Sequence, residues 1–167
     1  MVTVEHNVEG VGNQYTKMMR KVAADALEEM ISAAGFDGLI IKMRTGFRSY
    51  DYQSSLYNSY VERNGEEKAN RFSAKPGESE HQSGLCCDVG GESEGFALSY
   101  DFGETPEGIW VAEHAHEYGF IIRYLDGKED ITGYLFEPWH IRYVGVEHAT
   151  RIYEQGITLE EYLGILD

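Results

Sequence analysis

Residues 79–88 read Ser-Glu-His-Gln-Ser-Gly-Leu-Cys-Cys-Asp, a polar run that gives way to a short apolar one. We predict a loop that enters a short buried strand at Leu85–Val89, with Gly84 permitting the turn between them. His81 and Asp88 lie seven residues apart across that turn, so a loop and a strand can bring them to one point. Imidazole nitrogen and carboxylate oxygen are ligands of Zn²⁺, and the segment is therefore a candidate metal-binding element.

A second segment, residues 137–143, reads Glu-Pro-Trp-His-Ile-Arg-Tyr. A hydrolytic zinc needs three protein ligands, an open fourth position and a nearby carboxylate that takes a proton from water. We expect His140 to lie on a separate strand and to be the third ligand. Pro138 has no N–H for a strand ladder, so an irregular backbone there is expected to hold Glu137 beside the metal without ligating it. These spacings are weak signals alone, because a single histidine is more often a hydrogen-bonded structural residue.

Five stretches together resemble the D-alanyl-D-alanine carboxypeptidase family. Residues 79–88 resemble the family motif S-x-H-x-x-G-x-A-x-D. The other four stretches are Gly46–Gln53 (G-F-R-S-Y-D-Y-Q), Pro76–His81 (P-G-E-S-E-H), Tyr118–Tyr124 (Y-G-F-I-I-R-Y) and Glu137–Gly145 (E-P-W-H-I-R-Y-V-G). They follow the family's order from about the first helix to the C-terminus. The family includes the vancomycin-resistance D,D-peptidases and related L,D-carboxypeptidases, within the lysostaphin/D-Ala-D-Ala peptidase/hedgehog superfamily.

The resemblance implies a role for each matching residue. His81, Asp88 and His140 match the zinc ligands, and Glu137 matches the catalytic base. Arg48 matches an arginine that steadies the substrate carbonyl or the terminal carboxylate. Residues that match the substrate pocket or its rim are Gln53, Ser79, Tyr124 and Trp139. Cys86 departs from the family pattern, which has a small residue there, and we expect it to be a small buried apolar side chain.

The activity that the resemblance implies is a zinc-dependent D,D-carboxypeptidase or D,D-dipeptidase, with a link to glycopeptide resistance. Its substrate would be a peptidoglycan stem peptide or the dipeptide D-Ala-D-Ala. An L,D-carboxypeptidase that trims tetrapeptide stems would use the same zinc machinery and remains an alternative. A non-catalytic peptidoglycan-binding module of the same fold, or a structural domain without metal, are alternatives of another class. Glu137 argues against a binding module, because binding needs no proton shuttle.

Composition excludes several other classes. The 167 residues fit one domain and are 42% hydrophobic, enough for a real core. A formal charge of −15 repels phosphate backbones, so we expect no nucleic-acid partner. Cys86 and Cys87 are neighbours, which strains any disulfide between them. No run approaches the roughly 20 apolar residues of a membrane span. The compartment stays open between the bacterial cytoplasm and, if an N-terminal anchor was removed, the cell surface.

The remaining pattern predicts an α+β fold, with a central, mainly antiparallel sheet flanked by helices in a single domain. The predicted helices are Gln14–Ala34, Tyr52–Glu62, Pro106–Tyr118, Gly145–Gln155 and Leu159–Leu163. The further predicted strands are Leu39–Met43, Phe120–Tyr124 and Thr132–Val144, with a hairpin turn at Asp126–Gly127 between the last two. Residues 1–12 are predicted to be an N-terminal extension, and residues 13–167 a zinc D,D-peptidase domain.

Overall fold

The computed structural model describes residues 1–165. In chain order its elements are β1 (Val2–Thr3), β2 (Met18–Met19), α1 (Lys21–Phe36), β3 (Ile41–Thr45), α2 (Tyr50–Asn64), α3 (Glu66–Ala69), β4 (Cys86–Gly91), α4 (Pro106–His114), β5 (Phe120–Ile122), α5 (Glu129–Thr132), β6 (His140–Tyr143), α6 (Val146–Gln155) and α7 (Leu159–Leu163). Short 3₁₀ turns lie between several of them, including Glu80–Ser83 before β4 and Ala115–Tyr118 after α4.

A four-stranded sheet organises the domain, in the order β3-β4-β6-β5 with every neighbouring pair antiparallel. β4 and β6 are its central strands, and their register sets Asp88 opposite His140. A separate two-stranded pair joins β1 to β2. The α+β class with an antiparallel sheet and flanking helices is therefore confirmed.

The main core lies on one face of this sheet. Side chains of a strand alternate between faces, and Cys87, Val89 and Ile141 point into the core. α1 covers that face with an apolar stripe, whose buried members are Ala23, Ala24, Leu27, Met30, Ile31 and Ala34. Cys86, Asp88 and His140 have the opposite parity, so they lie on the other face of the sheet, away from this core.

The first helix begins later than its apolar periodicity predicts. α1 starts at Lys21, not Gln14, because Met18 and Met19 pair as a strand with Val2–Thr3. Met19 is fully buried by that pairing. Met18 and Met19 fit the apolar periodicity of a helix, but their pairing with Val2–Thr3 makes this segment a strand.

The last two strands are shorter than predicted and are not joined by a tight hairpin. β6 covers only His140–Tyr143, and the segment before it contains the short helix α5. The prediction of a strand at Thr132–Val144 is therefore wrong in its first half. The prediction that a turn at Asp126–Gly127 alone connects the two strands is wrong as well. Pro138 interrupts the ladder because it has no N–H to donate.

The N-terminal segment is attached to the rest of the domain. Val4 is fully buried in the main core, and its N–H donates to the carbonyl of Lys17 at 2.9 Å. The boundary at residue 12 stays a prediction, and the last two residues of the predicted domain 13–167 lie outside the described residues. Within residues 1–165, no helix combines the length and apolarity that a bilayer crossing requires.

Candidate active site

Three side chains meet on the face of the sheet opposite the core. His81 comes from the 3₁₀ turn before β4, Asp88 from β4 and His140 from β6. Asp88 Oδ1 lies 3.4 Å from His81 Nε2 and 3.0 Å from His140 Nδ1, and all three residues are at least 96% buried. Burial opposes ionisation of Asp88, but the charges of His81 and Arg48 hold its pKa well below 3.8.

This arrangement fits a zinc ion by its donor set and its spacing. Zinc–ligand distances of 2.0–2.1 Å in a tetrahedron separate neighbouring ligand atoms by about 3.3 Å. The two nitrogen–oxygen distances bracket that value. The outer nitrogen of His81, Nδ1, lies 2.7 Å from the carbonyl oxygen of Gly46. A carbonyl only accepts, so Nδ1 carries a proton, and Nε2, on the side of Asp88, is the nitrogen that could ligate a metal.

Glu137 lies beside this cluster because the chain turns sharply before β6. The N–H of His140 donates to the carbonyl oxygen of Glu137 at 3.1 Å, which closes a turn with Pro138 and Trp139 as its central residues. The Glu137 carboxylate is 3.8 Å from His140 Nδ1. Burial of this carboxyl raises its pKa to about 7. A carboxyl that titrates near neutrality next to the cluster has the chemistry of a general base.

Arg48 reaches the cluster from the segment between β3 and α2. Its Nη2 lies 2.6 Å from Asp88 Oδ2, the oxygen that faces away from the two histidines. Among the described residues that line the adjoining cavity, Arg48 is the only arginine or lysine. It thus contacts a predicted metal ligand as well as the cavity, a contact that the sequence did not predict.

A cavity of about 310 Å³ opens above the cluster. Ser79, Tyr124 and Trp139 line it, and Tyr124 packs against the His140 ring with centroids 5.1 Å apart. Other aromatic side chains of the wall are Tyr60, Phe72, Tyr100 and Tyr134. The cavity therefore joins an apolar wall to a polar floor, which suits a short peptide.

Gln53 is buried behind this wall and is not one of the residues that line the cavity. Its amide donates to the Ala74 carbonyl at 2.7 Å and to Ser73 Oγ at 3.3 Å, and both of those residues do line it. Gln53 thus supports the wall, which differs from the direct substrate contact that the resemblance implied.

Two residues of the motif 79–88 have neighbours that the sequence did not reveal. Cys86 is fully buried, and its sulfur and one ring nitrogen each of His81 and His140 lie within 4.8 Å of one another. Burial raises the pKa of the Cys86 thiol, but the two histidine charges outweigh it and lower the pKa to about 7. Glu80 contacts Arg123 and Arg142, which reach it from distant positions in the chain. Alternation of side chains along a strand places Cys86 on the same face as Asp88, whereas nothing in the sequence indicates the contacts of Glu80.

Comparison with known proteins identifies the class. The VanY D-alanyl-D-alanine carboxypeptidase profile matches residues 16–146. The chain belongs to this family. It is 49% identical over 146 residues to YodJ of Bacillus subtilis (strain 168), covering 87% of the chain and 54% of YodJ. It is 36% identical to the bifunctional D-Ala-D-Ala dipeptidase and D-Ala-D-Ala carboxypeptidase VanXYC of Enterococcus gallinarum, covering 81% of the chain and 72% of that protein. The chain spans about half the length of the first relatives that it matches.

Solved structures agree with this family. The LdcB LD-carboxypeptidase superposes with a TM-score of 0.92 at 44% identity, over 99% of this chain and 78% of its own. VanYB in complex with D-alanine-D-alanine gives a TM-score of 0.80 at 31% identity, over 98% of this chain and 92% of its own. A mutant of the D,D-pentapeptidase VanY in complex with Zn(II) gives 0.78 at 31% identity, over 95% and 91%.

Proposed function

We propose that this chain is a zinc-dependent D,D-carboxypeptidase or D,D-dipeptidase that acts on D-Ala-terminated peptidoglycan peptides. The observation that carries the proposal is the cluster of His81, Asp88 and His140 with Glu137 beside it as a non-ligating carboxylate. Membership of the VanY family supports it, as does the zinc bound by one structural neighbour and the D-alanine-D-alanine bound by another.

In the proposed mechanism, His81, Asp88 and His140 would hold the ion. The chemistry that zinc would supply there is that of a Lewis acid, which makes water more acidic and polarises a carbonyl. Glu137 takes the proton from the attacking water and later delivers it to the leaving amine. A raised pKa suits both steps, because the carboxyl then gains and loses its proton near neutral pH.

Arg48 provides positive charge at the edge of the cavity. In the proposed reaction it holds the terminal carboxylate of the peptide or offsets charge on the carbonyl oxygen as water adds. Its contact with Asp88 at 2.6 Å fixes the guanidinium close to the cluster. The aromatic wall, which includes Tyr124 and Trp139, excludes water from the side of the peptide chain.

One specific observation favours an L,D-carboxypeptidase as a second candidate. The superposition on the LdcB LD-carboxypeptidase extends over 99% of this chain with a TM-score of 0.92. VanYB superposes with 0.80. The cluster would be the same in either enzyme, so the difference lies in the shape of the cavity wall.

The deciding experiment offers three substrates to the zinc-loaded protein and resolves the products by mass spectrometry. They are D-Ala-D-Ala, a pentapeptide stem that ends in D-Ala-D-Ala, and the matching tetrapeptide. Loss of one D-Ala from the pentapeptide is the expected result, and cleavage of the dipeptide as well would make the enzyme bifunctional. Cleavage of the tetrapeptide alone would move the assignment to the L,D-carboxypeptidase. Zinc binding without any cleavage would overturn both in favour of a binding module.

A further inference from the structure

Glu80 is a mostly buried carboxylate next to the predicted ligand His81, and its two oxygens have different surroundings. Oε1 lies 2.8 Å from Arg123 Nε and 3.0 Å from Arg142 Nη1. Oε2 is buried and has no hydrogen-bond partner among the described residues. A buried carboxylate oxygen without a hydrogen-bond partner raises the free energy of the folded state, so its position requires an explanation.

The second orphaned atom of this region is Nε2 of His140. It is also buried without a hydrogen-bond partner in the described part of the chain. Glu80 Oε2 lies 3.8 Å from it. The other ring nitrogen, Nδ1, faces Asp88 at 3.0 Å. The two unpartnered atoms therefore face each other, and a shift of less than 1 Å closes an N–H···O hydrogen bond between them.

The two histidines of the cluster need opposite tautomers. A neutral imidazole has one N–H and one lone pair. His81 carries its proton on Nδ1, because Gly46 accepts there at 2.7 Å. His140 presents Nδ1 to the cluster, so its proton belongs on Nε2. For His81 the acceptor is a backbone carbonyl, and for His140 the acceptor in place is Glu80.

We propose that Glu80 is a positioning residue that acts through His140, holding the proton on Nε2 so that the Nδ1 lone pair is free for the metal. The inference rests on the proposed zinc site. Histidine ligands of metals characteristically donate their outer N–H to a carboxylate or carbonyl, which fixes both tautomer and ring orientation.

Glu80 is itself held from the far side. Arg123 binds Glu80 through Nε and binds Glu160 of α7 through both terminal nitrogens, at 2.9 and 2.5 Å. A guanidinium with its donors divided in this way has little freedom to rotate. The chain of contacts therefore runs from α7 through Arg123 and Glu80 to His140.

Glutamine at this position separates the proposed role from simple space-filling. In Glu80→Gln one of the two oxygens becomes an NH₂ group. If the amide oxygen faces the arginines, the NH₂ faces His140 and moves the ring proton to Nδ1, the metal-facing nitrogen. If the amide is reversed, its NH₂ opposes the donors of Arg123 and Arg142. Either orientation of the amide loses the contact with His140 or the contact with the two arginines, although glutamine has the same size and shape as glutamate.

The experiment measures zinc affinity by chelator competition, and the outer ring N–H of each histidine by ¹⁵N NMR of the zinc-loaded protein. In the wild type we expect His140 protonated on Nε2 and His81 on Nδ1. In Glu80→Gln we expect the Nε2–H of His140 to lose its hydrogen-bonded chemical shift and to exchange faster with water, and zinc affinity to fall by about 10- to 100-fold. The matched control is Glu107→Gln, since Glu107 is a buried carboxylate bonded to Ser93 and absent from the cavity lining. It should leave both readouts unchanged.

A zinc-loaded wild type in which the Nε2–H of His140 is not hydrogen-bonded would overturn the proposal even if Glu80→Gln does not fold. Wild-type zinc affinity in a folded Glu80→Gln protein would overturn it as well. Neither readout uses a peptide substrate. Failure of the wild type to bind zinc would instead contradict the proposed function, so the two failures can be told apart.

Discussion

At the scale of single residues, Glu137 provides the sharpest test of the proposed chemistry. Glu137→Gln keeps the volume of the side chain but removes the group that takes and returns the proton. We expect zinc content and the melting temperature to stay near wild type, and turnover to fall by about 10²- to 10⁴-fold. Metal analysis, thermal melting and peptide hydrolysis measure the three quantities.

The comparison variant for that test is His140→Ala, which removes a predicted ligand from β6. It should lose zinc as well as activity, whereas Glu137→Gln should lose activity alone. Undiminished turnover in Glu137→Gln would eliminate Glu137 as the base. Full zinc occupancy in His140→Ala would mean that the third ligand has been misassigned.

Cys86 is a second residue with a clear expected outcome. Its sulfur lies near the rings of His81 and His140 and is fully buried. Asp88 nevertheless completes a set of three nitrogen and oxygen ligands without it. We therefore expect Cys86→Ala to retain zinc and most of the activity. Cys87→Ala, in the main core on the other face, is the control for the loss of a buried sulfur. Zinc lost from Cys86→Ala alone would show that the thiol is a ligand.

At the scale of elements, Glu107 in α4 connects the helix to the turn after β4. Its carboxylate accepts from Ser93 Oγ at 2.7 Å and from the Ser93 N–H at 3.0 Å. Although burial opposes ionisation, these hydrogen bonds lower the pKa of Glu107 from its usual 4.5. A carboxyl whose pKa is lower in the folded state stabilises the fold above its unfolded pKa. That contribution is lost as pH falls through the folded pKa.

Glu107→Gln should therefore reduce the free energy of unfolding by about 1 kcal/mol at pH 7. The difference from wild type should shrink as the pH is lowered below about 4.5. Urea unfolding over a pH series measures it. Glu147→Gln in α6 removes an exposed carboxylate that contacts Arg151 at the surface, and it is the control for the loss of one negative charge. A gap between wild type and Glu107→Gln that stays constant down to acid pH would refute the assignment.

Elements determined by local signals were predictable from the sequence. The last two helices were predicted at Gly145–Gln155 and Leu159–Leu163 and occur at Val146–Gln155 and Leu159–Leu163, each followed by a glycine in the left-handed region. The β1–β2 pair was missed because the paired residues, Val2 with Met19 and Thr3 with Met18, are 17 and 15 positions apart and neither strand has more than two residues. Strands that short exist only through their partner.

The candidate site likewise contains residues that the sequence predicted and contacts that it did not. The motif residues were found because they resemble a family, and His81 and Asp88 are near in sequence. The role of Glu80 depends on Arg123, 43 positions away, and on Arg142 from β6. The contact of Arg48 with Asp88 spans 40 positions. No periodicity or spacing predicts which charged side chains will meet over such separations.

At the scale of the whole molecule, the segment predicted as an N-terminal extension contributes to the main core. Val4 is fully buried in it. Val4→Ala should lower the free energy of unfolding by about 2 kcal/mol, from lost apolar burial and the cavity left behind. Denaturant unfolding measures this, with the exposed change Glu9→Ala as the control. Equal stability of the two variants would mean that the Val4 side chain does not contribute to the stability of the core.

The pairing of β4 with β6 also has a consequence for how the chain folds. Asp88 and His140 are 52 residues apart, so the loop between them must close before the three predicted ligands meet, and loops of that length close at an entropic cost. An ion that binds only the closed form raises its population by mass action. Metal supplied during refolding would therefore leave the rate of collapse unchanged and slow the reopening of the central strands.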